Sequence, residues 1–413
     1  MRTGDGFADV VVTAVVSTTS LASNAEETWQ LLLEGRSGIR ELDYPFVAEF
    51  KSPVRIGGPL QENFDEHLNR VELRRLSYMQ KMSLVLGRRL WDTAGTPEID
   101  TRRLTVSIGL ALGITDEIRQ QYDAWQEKGL RAVSPLAVQM YMPNAPAAAV
   151  GLDHQAKAGI ISPVMADASG GAAIAQAWRQ LVLGEADIAI CGGVETRIEA
   201  VPVAAYWRSG LLSTNNDDPP AACRPFDKDR DGMVLGEGGA MILIETEAHA
   251  KARGAPILAR VMGAAMTSDG YDPIKPNPSG EAAGDAIARA IELAGLTPTD
   301  IDHINANATG TTLGDLAEAR AIGHAFGDHT PAVYAPKAAL GHSLGGAGAV
   351  EAVVTVQALR DGVVPPTLNL KDLDPEIEMD VVSGLPRRAD YRYAVSNSFG
   401  IGGYNVAVVF GAY

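Results

Sequence analysis

Apolar runs of strand length alternate with helical segments along the whole chain. Val10–Val16, Leu104–Gly109, Ile188–Val194, Met241–Ile244 and Leu258–Val261 read as buried strands, with Ala332–Ala335, Tyr393–Val395 and Val406–Phe410 as later ones. Helical patterns cover Leu73–Trp91, Gly171–Leu183, Ala282–Ala294 and Ala347–Leu359. An earlier helix opens at Ser23-Asn-Ala-Glu, an N-cap with Glu26 three residues on, and runs to about Glu34. This alternation predicts an α/β architecture with crossover connections. The Asn-, Asp- and Pro-rich stretch Ser213–Arg230 reads as a surface loop. No sequence repeat is visible, which leaves two halves free to share a fold.

Composition narrows the function. With 413 residues, 46% of them hydrophobic, the chain can bury one large core or two intimately fused domains. A net charge of −16 without a Lys/Arg stripe excludes a general nucleic-acid binder. Arg70, Arg74, Arg75, Lys81, Arg88 and Arg89 cluster in one helical stretch, either as a solvated face or as a local patch for an acidic partner. The two cysteines, Cys191 in an apolar strand and Cys223 before Arg-Pro-Phe, make neither a disulfide framework nor a metal-type spacing, as in a reducing cytoplasm. The amino terminus lacks an apolar signal core and no uncharged apolar run reaches about 18 residues, so a soluble cytoplasmic protein without a membrane span is expected.

Glycines cluster at Gly341–Gly346 and Gly400–Gly403, where backbone must turn tightly or approach a ligand. They belong to a series of ordered motifs: Gly192-Gly-Val-Glu195, Arg224-Pro-Phe-Asp-Lys-Asp-Arg-Asp-Gly232, Gly236-Glu-Gly238, Asn305-Ala-Asn-Ala-Thr-Gly-Thr-Thr-Leu-Gly-Asp315, Lys337-Ala-Ala-Leu-Gly-His342 and Asn397-Ser-Phe-Gly-Ile-Gly-Gly403. Together they resemble the β-ketoacyl-acyl-carrier-protein synthases of the thiolase superfamily. Within that family the chain is most similar to the elongating synthases of actinobacterial, mycolic-acid-type fatty acid synthesis. The resemblance implies a thiolase-like five-layer α-β-α-β-α sandwich of two βαβαβαββ halves, here 1–256 and 257–413, that pairs as a dimer. Residues around 110–145, with Tyr141-Met-Pro-Asn-Ala-Pro146, then border the acyl tunnel and the dimer interface.

The resemblance also implies a chemistry. A cysteine at a helix N-terminus, its pKa lowered by the dipole, takes the acyl chain as a thioester. Two histidines stabilise the enolate formed when a malonyl thioester loses CO2, and a lysine supports one of them. Two backbone N–H groups form an oxyanion hole. No cofactor and no metal are expected. In this chain the cysteine motif stands as Met165-Ala-Asp-Ala-Ser-Gly170, which puts Asp167 at the nucleophile position. Asn307 takes the place of the first histidine, while His342 and Lys337 are retained. Ile401 replaces the phenylalanine gate, and residues 109–114 depart from the usual glycine pattern. Thr309, Thr311, Phe399, Gly400 and Ile401 are the substrate-binding positions carried over from the family. Asp315 and Glu318 read as carboxylates that orient the scaffold, and Glu351 as a buried partner for Lys337.

Three readings of Asp167 are open: a helix cap without chemistry, a carboxylate folded into the oxyanion hole, and a general base acting on water or substrate. Attack by Asp167 on a thioester would give a mixed anhydride, and loss of a covalent nucleophile costs on the order of 10⁶ in rate. A non-condensing accessory protein is therefore expected. It would bind acyl thioesters and acyl-carrier protein as a homodimer or as a heterodimer with an active ketosynthase, in the manner of a chain-length factor. The alternatives are a repurposed enzyme, such as a malonyl-carrier decarboxylase or a non-covalent acyltransferase, and a synthase using Cys223 as nucleophile.

Overall fold

The computed structural model describes residues 8–113, 115–195 and 198–413; the amino-terminal segment and Ile114, both read above, lie outside them. Ten strands form one continuous sheet: β1 (Val10–Thr18), β2 (Leu104–Gly109), β3 (Gly159–Ile161), β4 (Ile188–Glu195), β5 (Gly238–Thr246), β6 (Ala259–Ser268), β7 (His303–Asn305), β8 (Ala332–Tyr334), β9 (Tyr393–Gly400) and β10 (Tyr404–Gly411). Their order is β8-β7-β9-β10-β6-β1-β5-β4-β2-β3. β2 runs parallel to β3 and β4, and β5 runs antiparallel to β4 and β1. The second set repeats this pattern: β7 is parallel to β8 and β9, and β10 is antiparallel to β9 and β6. The sets meet where Val10–Val12 of β1 pair with Ala259–Val261 of β6. The fold is thus an internal duplication that the sequence does not display.

Six helices complete the layers: α1 (Tyr78–Thr93), α2 (Ala145–Asp153), α3 (Ser169–Val182), α4 (Glu281–Leu293), α5 (Thr312–Phe326) and α6 (Ala347–Asp361). α3 packs on β2 and β4 of the first set and on β6 and β10 of the second. α6 packs on β4, β5 and β9, so the two helices form the middle layer. α1 and α2 cover the outside of the first set of strands, and α4 with α5 the outside of the second. Each half reads βαβαβαββ, the thiolase-like five-layer sandwich. With both faces covered, strands such as Leu104–Gly109 are buried at every position, which is why they appear as unbroken apolar runs. Small residues allow the middle helices to touch: a Cβ on Gly348 would lie 2.7 Å from the Gly171 backbone N.

Several local expectations are corrected. The helix expected over Leu73–Trp91 is two, Arg70–Arg75 and Tyr78–Thr93. Leu76 is extended, and Ser77 opens the second helix with a capping box to Gln80. The first helix, Ala25–Leu33, is capped by Asn24 instead of Ser23; the Asn24 side chain accepts the Glu27 N–H at 2.8 Å. The stretch 213–230 is no surface loop throughout, since Ser213, Cys223, Phe226, Asp227 and Arg230 are buried. Arg230 is drawn in because its guanidinium donates to Asp374 at 2.6 Å and to the Thr312 carbonyl at 2.8 Å. The basic stretch divides as well. Lys81 pairs with Asp65, Arg88 with Glu72 and Asp153, and Arg89 with Glu62, while Arg70, Arg74 and Arg75 stay exposed. Among the described residues no helix is long and apolar enough to cross a membrane.

Candidate active site

Three turns bring the candidate residues together, and each carries a non-glycine residue in the left-handed region. Ala166 (φ 48°) precedes Asp167, Ala308 (φ 34°) follows Asn307, and Leu344 (φ 41°) follows His342 by two. The turn before α3 is locked by Ser169, whose hydroxyl accepts the Met165 N–H at 2.9 Å and donates to the Ala166 carbonyl at 2.6 Å. Asp167 is 7% exposed. Its Oδ2 lies 3.7 Å from His342 Nε2, an ion-pair separation too long for a hydrogen bond. Its Oδ1 is buried without a partner. Ala168 occupies the N-cap of α3, with no side-chain cap. Asp167 therefore does not cap the helix, and neither of its oxygens accepts a hydrogen bond from the Ile401 N–H among the described residues. Two of the three readings of this residue are overturned: its carboxylate faces His342 instead.

Asn307 sits just beyond β7 on a loop pinned by Glu318, which accepts the Asn307 N–H at 2.9 Å, the Ala308 N–H at 2.6 Å and the Asn397 side-chain amide at 3.2 Å. Asp315 similarly accepts the Gly310 N–H at 3.0 Å and the Phe226 N–H at 2.8 Å. Lys337, 2% exposed, donates to the Asn307 carbonyl at 2.5 Å, to its Oδ1 at 3.3 Å and to Glu351 Oε1 at 2.5 Å. An ammonium only donates, so it fixes the amide oxygen of Asn307 toward itself and leaves the NH2 for the cleft. Burial pushes the carboxyls of Asp315 and Glu351 up to about 7, and that of Glu318 upward, against the pull of their donors.

His342 is held through its backbone, its N–H donating to the Val234 carbonyl at 2.7 Å, and both ring nitrogens are buried without a hydrogen-bond partner. Burial lowers its pKa and Asp167 pulls the other way, so the ring is mainly neutral. Asp167, Asn307, Thr309, Thr311, Phe399, Gly400 and Ile401 line one cleft of about 90 Å³. The Thr309 and Thr311 hydroxyls share a hydrogen bond of 2.9 Å. Gly400 lies against the Asp167 turn so closely that a Cβ would sit 3.0 Å from both Asp167 N and the Met165 carbonyl. Cys223 does not line the cleft, and burial pushes its thiol up to about 12; it is no nucleophile.

Two residues went unassigned in the sequence. Glu195, quoted only as the end of a motif, accepts the N–H groups of Ala111 and Gly113 at 2.9 Å and of Leu112 and Gly345 at 3.2 Å. It ties the loop after β2 to the turn that follows His342. Asp269, on the cleft wall, accepts the Asn277 N–H at 2.9 Å and the Asn405 side-chain amide at 2.7 Å. A carboxylate ending an apolar strand is the only signal for Glu195, and nothing local marks Asp269.

Comparisons with known proteins agree with this architecture. Residues 8–250 match the N-terminal domain of β-ketoacyl synthases and residues 258–371 the C-terminal domain. The chain is 65% identical over 412 residues to 3-oxoacyl-[acyl-carrier-protein] synthase 2 of Mycobacterium tuberculosis, covering 100% of this chain and 99% of that protein. It is 37% identical to the protein of the same name from Synechocystis, with 98% of each covered. A solved β-ketoacyl synthase from Burkholderia phymatum superposes with a TM-score of 0.91 at 31% identity, over 98% of this chain and 100% of that one. The ishigamide ketosynthase/chain length factor superposes with a TM-score of 0.89 at 28% identity, over 99% of this chain and 100% of that one. With its duplicated five-layer fold, its convergent turns and these matches, the chain belongs to the β-ketoacyl synthase family, close to the mycobacterial 3-oxoacyl-[acyl-carrier-protein] synthases 2.

Proposed function

We propose that this family member binds acyl thioesters carried on acyl-carrier protein without condensing them, as an accessory partner of an active synthase in the cytoplasm. The observation that carries the reading is the carboxylate of Asp167 at the turn before α3, with no thiol on the cleft. A carboxylate there cannot store an acyl chain as a thioester, and its anhydride is a poorer store than the thioester it consumes. Partnering is supported by the edge strand β3, where Ile160 is exposed, and by exposed Val138, Met142, Leu152 and Val164 in the segments flanking it in sequence, apolar residues suited to a second ketosynthase-fold chain, the same or active. The solved ishigamide ketosynthase/chain length factor provides a precedent for such a pair. Exposed Arg70, Arg74 and Arg75, without an ion pair among the described residues, offer a basic face to an acidic carrier. The halves 1–256 and 257–413 would act as one unit around the cleft.

The NH2 of Asn307, left to the cleft by the Lys337 bond to its Oδ1, favours a second reading, decarboxylation of a malonyl group with its enolate held by Asn307 and His342. Against it, Asp167 would repel the malonyl carboxylate. The test supplies acyl-carrier and malonyl-carrier thioesters and measures chain extension and CO2 release, for this protein alone and mixed with an active synthase. The accessory role predicts activity or altered chain length only in the mixture. Extension by the protein alone overturns it, and CO2 release without extension selects the second reading.

A further inference from the structure

The cleft holds more chemistry than binding requires. Asp167, on the cleft wall, has its Oδ1 buried without a donor among the described residues, and the ring nitrogens of the adjacent His342 are likewise unpartnered. A buried carboxylate oxygen left unpaired is destabilising, and a donor supplied from the cleft relieves it. The three turns that carry Asp167, Asn307 and His342 each keep a non-glycine residue in the left-handed region. Asn307 is held so that its NH2 meets the cleft. Resting on the acyl-thioester binding proposed above, we infer that this cleft hydrolyses acyl thioesters, with Asp167 as general base toward a water molecule.

The water donates one O–H to the Asp167 carboxylate, and its oxygen bonds to the acyl carbon as that proton passes to the carboxylate. The carbonyl electron pair moves onto oxygen, facing the Asn307 NH2. Collapse of the tetrahedral intermediate breaks the C–S bond, and the thiolate takes the proton from Asp167. Acyl thioester and water become a carboxylic acid and a free thiol, without an oxidant, reductant or cofactor. His342 is a positioning residue: its ring lies 3.7 Å from Oδ2 and makes no hydrogen bond to the carboxylate among the described residues, which leaves the carboxylate free to take a donor. The wall also selects the substrate. Asp167, Asp269 and Glu318 line the cleft and no Lys or Arg does among the described residues, so a neutral acyl group is accepted ahead of a malonyl carboxylate.

The full-length protein is incubated with octanoyl-pantetheine or malonyl-pantetheine and thiol release is followed with a thiol-reactive dye, while binding is measured by calorimetry. Both cysteines are buried, so the protein's own background is low. Expected are release from octanoyl-pantetheine at least tenfold faster than from the malonyl thioester, and a loss of about 100-fold in Asp167→Asn with octanoyl binding retained. Should that variant not fold, Asn307→Ala is read in the same way, with an expected loss of at least tenfold. Binding without release, or release unchanged in either folded variant, overturns hydrolysis and leaves the binding proposal standing. Absence of octanoyl binding overturns both.

Discussion

The Asp167 carboxylate and the His342 imidazole, one from each half of the duplicated fold, face each other at 3.7 Å, with Asp167 on the wall of a cleft that neither half builds alone. Burial favours the neutral imidazole, and a carboxylate stands beside it where the family's chemistry calls for a thiol. That single exchange changes what the scaffold can do with a thioester, while the surrounding hydrogen bonds still hold every backbone turn in place.

Restoring a thiol should therefore restore acylation before it restores condensation. Asp167→Cys places sulfur at the N-terminus of α3, where the dipole lowers its pKa. Intact-protein mass spectrometry after incubation with an acyl thioester should show one acyl adduct on the variant and none on the parent. Chain extension should rise at least about 100-fold further only when Asn307→His is added, since the first histidine would then be back as well.

Lys337→Met removes the cation from a buried pair and leaves Glu351 without its partner and Asn307 without its orienting donor. The expected loss is about 3–5 kcal/mol in chemical denaturation. Lys337→Met combined with Glu351→Leu should recover most of it, and acyl-thioester affinity should still fall because Asn307 is released.

Stability should peak on the acid side of neutrality. Glu245, held down to about 2 by Arg253, His249 and Thr13 despite burial, contributes stability above the ordinary carboxylate range that is lost as pH falls toward 2. Asp315 and Glu351, pushed up to about 7 by burial, keep protons in the folded state that the unfolded chain releases. Their effect lowers stability as pH rises through the ordinary carboxylate range to about 7, by at most about 1.4 kcal/mol per pH unit for each group. Urea unfolding across pH 3–8 should show a maximum around pH 5. The decline on its alkaline side should be shallower in Lys337→Met/Glu351→Leu.

Glu195→Ala leaves four N–H groups without their acceptor, two of them, from Gly113 and Gly345, buried. A loss of at least about 3 kcal/mol is expected in denaturant unfolding. Faster hydrogen exchange should be confined to residues 110–113 and the turn after His342.

What the sequence displays and what it conceals follow from separate physical causes. Leu104–Gly109 is legible because burial on both faces leaves no charged interruption, and the start of the last middle-layer helix at Ala347 is legible from its apolar run, although the helix continues two residues past Leu359 to Asp361. The break at Leu76 is hidden because apolar spacing continues across it. Arg230 misleads for the opposite reason: its acceptors, Asp374 and the Thr312 carbonyl, are remote in sequence, so a polar stretch reads as solvated. At the site, Asp167, Asn307, His342 and Lys337 are visible through motif likeness, whereas Asp269 acts by accepting hydrogen bonds that leave no pattern along the chain. The duplication is written in strand pairing, which single residues do not encode.

The most direct test of the account is chain extension by the isolated, full-length protein supplied with an acyl-carrier thioester and malonyl-carrier protein, read by mass spectrometry of the carrier-bound products. The account predicts no 3-oxoacyl product two carbons longer and no acyl adduct on the protein. Accumulation of that extended product with the unaltered Asp167 protein would contradict it.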